Sequence, residues 1–306
     1  MFRNVLVPLD GSAFAEQALP LALNIAGRAN ANLHLLRVHI PYRIEDPTRG
    51  WALFDPAEDA VIRRQELTYL ENLARRDTGD KIRDFSCAVE DGFTVDAILG
   101  QARKVTADLI VMTTHGRGPL SRAFLGSVAD ELVRRSPIPV LLIRPQDALP
   151  DFRRPAAVSR MLIPLDRSPA CLHILGPALQ LGSILGASYT LLHVVHPDQL
   201  PARTTESERA AGLCRSWQEH EAEQSLAYLE QLAQQRRGPS AEIQTRVVVN
   251  RHIACAILDA ARTYSCDLIA MAMHGRTGFR KLLLGSVSDK VLRSATCPVL
   301  VYREPD

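Results

Sequence analysis

One stretch of this sequence is written twice. Thr113-Thr-His-Gly-Arg-Gly-Pro-Leu-Ser-Arg-Ala-Phe-Leu-Gly126-Ser127-Val128 returns as Ala272-Met-His-Gly-Arg-Thr-Gly-Phe-Arg-Lys-Leu-Leu-Leu-Gly285-Ser286-Val287. Each copy follows an apolar run that starts at an aspartate, Asp108 or Asp267, and leads through a helical pattern to Pro-Val-Leu at Pro139 or Pro298. From His115 to Arg144 against His274 to Arg303, 13 of 30 aligned residues are identical without a gap. The chain is therefore a duplication. Its 306 residues suit two domains of roughly 100–200 residues each, and either half is long enough to bury its own core.

A strand, a basic glycine-bearing loop and a helix opening on Gly-Ser make a recognisable chemical unit. The first turn of a helix leaves backbone N–H groups without intrahelical partners, and the helix dipole makes that end partly positive. Glycines let the backbone approach a ligand, so such an end is a seat for phosphate. A second reading stays open from the residues alone. Ser127-Val-Ala-Asp130 and Ser286-Val-Ser-Asp289 resemble capping boxes, which would satisfy the same N–H groups internally.

Taken in order, each half alternates strand and helix. Phe2 to Leu9 ends at Asp10-Gly-Ser12, and Met161 to Leu165 ends at Asp166-Arg-Ser168. Helical stretches follow at Ala13–Arg28 and Pro169–Leu185, then apolar runs at Asn32–Val38 and Ser188–Val194. Pro41–Pro56, with Trp51 and Phe54, reads as a loop, and charged amphipathic helices come next at about 57–76 and 206–235. Third strands at 82–89 and 241–249, third helices at 94–104 and 253–263, and fifth strands at 138–143 and 298–302 complete each half. Residues 147–159 lack periodicity and read as a linker between domains at 1–146 and 160–306. Strand–helix alternation with two-sided apolar strands means α/β architecture, a parallel sheet covered on both faces. Ligands of such sheets bind beyond the carboxyl ends of the strands. Asp10 and Asp166, Val38 and Val194, and the repeated loops converge there.

Composition narrows the classes. Net charge is +2 and no basic block exceeds two or three residues, which gives no electrostatic case for nucleic acid. No apolar run reaches the ~20 residues that span a bilayer, and no signal peptide is legible. The six cysteines (87, 171, 214, 255, 266 and 297) show no Cys-x-x-Cys spacing and read as small core residues. The expectation is a reduced, cytoplasmic protein without a structural metal.

With these residues assembled, the chain resembles a tandem universal stress protein, two such domains covering nearly its whole length. The nucleotide signature of that family is Gly-x2-Gly-x9-Gly-[Ser/Thr]. Its second glycine falls on Gly116 and Gly275, and its Gly-Ser on Gly126-Ser127 and Gly285-Ser286. Its strand-one aspartate matches Asp10 and Asp166, and its adenine-lining valine matches Val38 and Val194. The first glycine is replaced by Thr113 and Ala272, which face the ribose in the family. The resemblance implies Rossmann-like domains, each with a five-stranded parallel sheet in the order 3-2-1-4-5 and helices on both faces. It also implies ATP as ligand, with or without Mg²⁺, and a domain pairing through the last strands that leaves other faces for a homodimer. Backbone N–H groups of Gly116, Gly126, Ser127 and Val128, and of Gly275, Gly285, Ser286 and Val287, are then the phosphate donors. Arg117 and Arg276 add charge to the phosphates or point to solvent. Asp10 and Asp166 contact the nucleotide, help hold Mg²⁺, or cap the next helix. His115 and His274 read as loop histidines bonded to backbone rather than as acid–base groups, since no carboxylate lies nearby in sequence. No catalytic residue is assigned.

Three functions are compatible: an ATP-binding stress-response regulator, a slow nucleotide-hydrolysing enzyme, and an interaction scaffold with vestigial pockets. A dinucleotide dehydrogenase is disfavoured, because no Gly-x-Gly-x-x-Gly follows the first strand.

Overall fold

The structure, a computed structural model, describes residues 2–41, 43–46, 51–76, 84–114, 125–146, 157–197, 213–236, 242–273 and 285–303. The chain divides into two compact units, Met1–Ala156 and Ala157–Asp306.

The first unit runs β1 (Asn4–Leu9), α1 (Ala13–Glu16), α2 (Leu19–Ala29), β2 (Asn32–His39), β3 (Arg43–Asp46), β4 (Trp51–Phe54), α3 (Pro56–Arg76), β5 (Phe85–Asp91), α4 (Thr94–Lys104), β6 (Leu109–Thr113), α5 (Ser127–Arg135) and β7 (Val140–Ile143). Five of its strands lie in the order β7-β6-β1-β2-β5, every neighbour parallel. Counted by rank in the sheet, that is the expected 3-2-1-4-5. Val5, Leu6 and Val7 in β1 and all of Leu109–Val111 in β6 are without solvent exposure. Strands apolar on both sides need helices over both faces. The crossovers from β1 through β2 to β5 run one way along the sheet, and those through β6 to β7 run the other. Right-handed connections then place α2 and α3 over one face and α4 and α5 over the other; α4 packs on α5.

The second unit runs β8 (Arg160–Pro164), a 3₁₀ segment (Pro169–Ile174), α6 (Leu175–Leu185), β9 (Ser188–Val195), α7 (Leu213–Arg236), β10 (Ile243–Val249), α8 (Ile253–Thr263), β11 (Leu268–Ala272), α9 (Ser286–Ser294) and β12 (Val299–Tyr302). Its order is β10-β9-β8-β11-β12, again all parallel.

The aspartate that opens each repeated strand sets its register. Asp108 accepts from the N–H groups of Arg3 (2.7 Å) and Asn4 (3.2 Å), and its own N–H donates to the Asn4 carbonyl (3.0 Å). Asp267 does the same with Ser159 (2.8 Å) and Arg160 (3.0 Å), donating to the Arg160 carbonyl (2.9 Å). Burial lifts the Asp108 carboxyl above its ordinary range, opposed by those same N–H donors.

Three local expectations are corrected. Residues 43–46 and 51–54, read as loop, pair as an antiparallel hairpin, Arg43 opposite Phe54 and Asp46 opposite Trp51. The stretch 13–28 is two helices, because Pro20 has no N–H to bond and its ring crowds the carbonyl of Glu16, where α1 ends. Pro177 acts likewise on His173, so 169–185 starts as a 3₁₀ segment and becomes α-helical only at Leu175.

Tyr189 on β9 packs into α6 at Gly182. Its hydroxyl donates to the Leu179 carbonyl at 2.9 Å, and the residue is 3% exposed. A methyl group at Gly182 would meet the Tyr189 ring and hydroxyl at 2.4–2.6 Å, and the bonded, buried ring has nowhere to swing. Gly182→Ala is expected to destabilise the protein by about 1–3 kcal/mol, read as a lower urea midpoint at unchanged slope.

Candidate functional site

In the first unit the carboxyl ends of β1, β2 and β6 open on a cavity of about 400 Å³. Asp10, Val38, Thr113, Gly126, Ser127 and Val128 line it, so six of the positions singled out in the sequence meet in one place. His115, Gly116 and Arg117 lie outside the described residues, as do His274, Gly275 and Arg276.

Each wall is placed by a local bond. After β1 the chain turns at Gly11 (φ 78°), and one Asp10 oxygen accepts from the Ser12 N–H (2.9 Å) and hydroxyl (2.5 Å). Ser12, not Asp10, caps the next helix, accepting from the Ala15 N–H at 3.1 Å. Asp10 thus braces the turn from within the cavity wall. At the end of β6, the Thr114 N–H donates to the Ile143 carbonyl and the Gly126 N–H to the Thr114 carbonyl, both at 2.8 Å. These bonds bring the start of α5 over the end of β6.

Helix α5 settles the capping alternative. Its N-cap is Gly126, with no side-chain cap, and Ser127 is already helical. Asp130, the other end of the capping box read from the sequence, pairs with Arg134 (2.9 and 3.0 Å). The first intrahelical bond is Asp130 N–H to the Gly126 carbonyl (2.9 Å). The N–H groups of Ser127, Val128 and Ala129 precede it, and these three residues line the cavity. One expected donor is corrected: the Gly126 N–H is occupied by Thr114, so the donor set shifts one residue along the helix. The second unit repeats this start, with Gly285 as N-cap, Ser286 as first helical residue and Asp289 paired with Arg293 at 2.9 Å.

The sequence reading found Val38 on β2 but missed the charged residues beside it. Arg37 lines the cavity, and its Nε donates to Glu66 of α3 at 3.1 Å. The other Glu66 oxygen contacts His39 Nδ1 at 2.7 Å, and His39 Nε2 contacts Asp59 at 2.9 Å. The His39 side chain has no solvent exposure, and those of Arg37, Asp59 and Glu66 are 12–14% exposed. Both ring nitrogens face carboxyl groups, an arrangement that favours the doubly protonated ring. Burial works against that charge, but the hydrogen bonds to Asp59 and Glu66 prevail and raise the His39 pKa. A signal was present: Arg37 and His39 are two residues apart in a strand, hence on one face. Also unforeseen on the walls are Thr94, Ile98, Met112 and Thr114. The mouth carries Ile40, 79% exposed; Phe93, immediately before Thr94, is 85% exposed.

In the second unit Asp166 follows β8, Val194 is the last residue but one of β9, Ala272 ends β11, and Gly285, Ser286 and Val287 start α9. Asp166 accepts from the Ser168 N–H at 2.9 Å, as Asp10 does from Ser12. The wall chemistry differs. His193 stands where the first unit has Arg37, donating Nδ1–H to the Leu165 carbonyl at 2.7 Å, and burial lowers its pKa. Val195 stands in place of His39. Arg167, left-handed at φ 64°, replaces Gly11 and is held by Glu221 and Ser225 of α7. Among the described residues, no group of three His, Cys, Asp or Glu is placed to hold a metal ion, and no helix is long and apolar enough to cross a membrane.

The family model described as "Universal stress protein family" matches residues 1–144 and again 158–303. A universal stress protein of Mycobacterium tuberculosis (strain ATCC 25618 / H37Rv) is 35% identical over 203 residues, 65% of this chain and 62% of that protein. The match to that relative thus spans under two thirds of its length. A universal stress protein of Mycolicibacterium smegmatis is 28% identical over 312 residues, covering 98% of this chain and 97% of the relative. The crystal structure of a universal stress protein from Archaeoglobus fulgidus superposes with a TM-score of 0.68 at 18% identity, covering 99% and 98% of the two chains.

The raised His39 pKa has a thermodynamic sign. A group whose pKa is higher folded than unfolded stabilises the fold fully below its unfolded pKa, about 6.5 for histidine, and loses that contribution as pH rises through the folded value. His39→Gln is expected to cost about 1–3 kcal/mol at about pH 6 and distinctly less at about pH 9. Urea unfolding of both proteins at the two pH values measures it.

Proposed function

The chain belongs to the universal stress protein family, and from that premise we propose that its first unit binds an adenine nucleotide, ATP, as a regulatory ligand. The observation that carries this reading is the placing of α5. Its N-cap, Gly126, makes no side-chain cap bond among the described residues, and the residues of its first turn, Ser127, Val128 and Ala129, line a cavity that Asp10 and Val38 also line. A triphosphate carries the charge that a positive helix end favours, and a cavity of this size with mostly apolar walls suits a heterocyclic base. The phosphates take the N–H groups of Ser127, Val128 and Ala129 and the Ser127 hydroxyl. The base lies toward Val38, and Asp10 meets the sugar or the Mg²⁺ that accompanies ATP. The second unit, with Asp166, Val194, Ser286 and Val287 at matching positions, is a further nucleotide seat with different walls. We take 1–146 and 160–306 as the two binding domains and 147–159 as their linker.

A second reading, an interaction scaffold without nucleotide, is favoured by one observation: the Thr113 side chain, 5% exposed, occupies the wall where the family signature has glycine.

Calorimetric titration of stripped protein with ATP and Mg²⁺ separates the two. At least one ATP per chain is expected, and Asp10→Ala and Ser127→Ala are each expected to weaken the first-unit site about tenfold or more. Absence of binding at millimolar ATP leaves the scaffold.

A further inference from the structure

The Arg37 guanidinium is a mostly buried cation on the cavity wall, and among the described residues its hydrogen-bonding partner is Glu66, reached through Nε alone. A buried donor group of this kind needs further acceptors, from solvent or from a ligand. Glu66 is held in turn by His39, and His39 by Asp59. We propose that Arg37 is a ligand-binding residue of the first unit, donating to the base or sugar end of the nucleotide, and that His39 is its positioning residue, acting through Glu66. The inference rests on the nucleotide reading and assigns residues that the family signature does not contain.

The geometry argues both halves. Arg37 precedes Val38 at the β2 end of the cavity, whereas the N–H groups that suit phosphate belong to α5, beyond the end of β6. Arg37 therefore meets the part of the ligand remote from the phosphates, where ring nitrogens and hydroxyl oxygens are the acceptors. Among the described residues, Arg37 and His39 thus face the carboxylates of Glu66 and Asp59 in one chain of contacts. Removal of a proton from His39 leaves a ring nitrogen lone pair against a carboxylate oxygen, of Asp59 or of Glu66, and so loosens the chain of contacts that holds Glu66 against Arg37.

Neighbouring charges are already committed. Asp91 of β5, in register with His39, is held by Arg63 of α3. On α2, Arg28 donates to Asn24. On α4, Asp96 and Lys104 pair with Arg135 and Glu90. Asp10, past the end of β1, accepts from Ser12. The second unit has His193 and Val195 in these positions, so the device belongs to the first unit alone.

The test uses the full chain and adenosine, which has no phosphate and no group that titrates near neutral pH. Wild-type affinity is expected to fall about tenfold between about pH 6 and about pH 9 as His39 loses its proton. Arg37→Gln and His39→Gln are each expected to bind about tenfold more weakly at the lower pH, without that pH dependence. The double variant is expected to be no weaker than Arg37→Gln, because the two act in series. If His39→Gln does not fold, Glu66→Gln keeps an acceptor for Arg37, removes the charge, and is expected to show the same loss. Wild-type affinity in Arg37→Gln, additive losses in the double variant, or a loss seen with ATP but not with adenosine each overturns the assignment. A wild-type chain that binds neither adenosine nor ATP sinks the nucleotide reading itself, and the assignment with it.

Discussion

Two short hydrogen bonds, Thr114 N–H to Ile143 and Gly126 N–H to Thr114, determine where α5 begins relative to the strands beneath it. They return the chain to the end of β6 after the repeated loop, so that α5 starts above the sheet and beside β1. Gly126 then serves as N-cap without a side chain, and the three residues that follow it line the cavity. A capping box at this place would have neutralised the helix end. Without a side-chain cap at Gly126 among the described residues, the start of α5 keeps the partial positive charge of its dipole.

The duplication preserved the skeleton more strictly than the walls. Asp108 and Asp267 pin the same register, and Thr106 and Ser265 make the same left-handed turn before them (φ 49° and 50°). Asn30 and Gly186 end equivalent helices in the left-handed region. The residues that face a ligand diverge: Arg37 against His193, Gly11 against Arg167, Thr113 against Ala272. Backbone pins tolerate little change because each fixes the register of a strand against its neighbour. Wall residues answer to whatever occupies each cavity.

Much of this was legible in the sequence, for physical reasons that also explain what was not. Apolar runs such as Leu109–Val111 announce a doubly covered parallel strand, and the carboxyl-end rule then locates the crevice without coordinates. Asp10, Val38, Ser127 and Val128 were expected at that crevice, and they line the cavity there. Arg37 and His39 were not expected, because their meaning depends on Asp59 and Glu66, some twenty to thirty residues away and brought close only when α3 packs on β2. The hairpin at 43–46 and 51–54 escaped for a different reason. Its strands are four residues each, too short for an alternating pattern to declare itself. The Gly126 N–H was misassigned because spacing along the chain gives no warning that a carbonyl twelve residues earlier will claim it.

The central claim is that a nucleotide sits on the uncapped start of α5 with its base toward β2. Crystallisation with ATP and Mg²⁺ examines that directly. The expected result is triphosphate density on the N–H groups of Ser127, Val128 and Ala129, with the base at the β2 end, against Val38 and within reach of the Arg37 guanidinium. Density with the phosphates at β2 and the base at α5, or an empty first-unit cavity at saturating ATP, contradicts it.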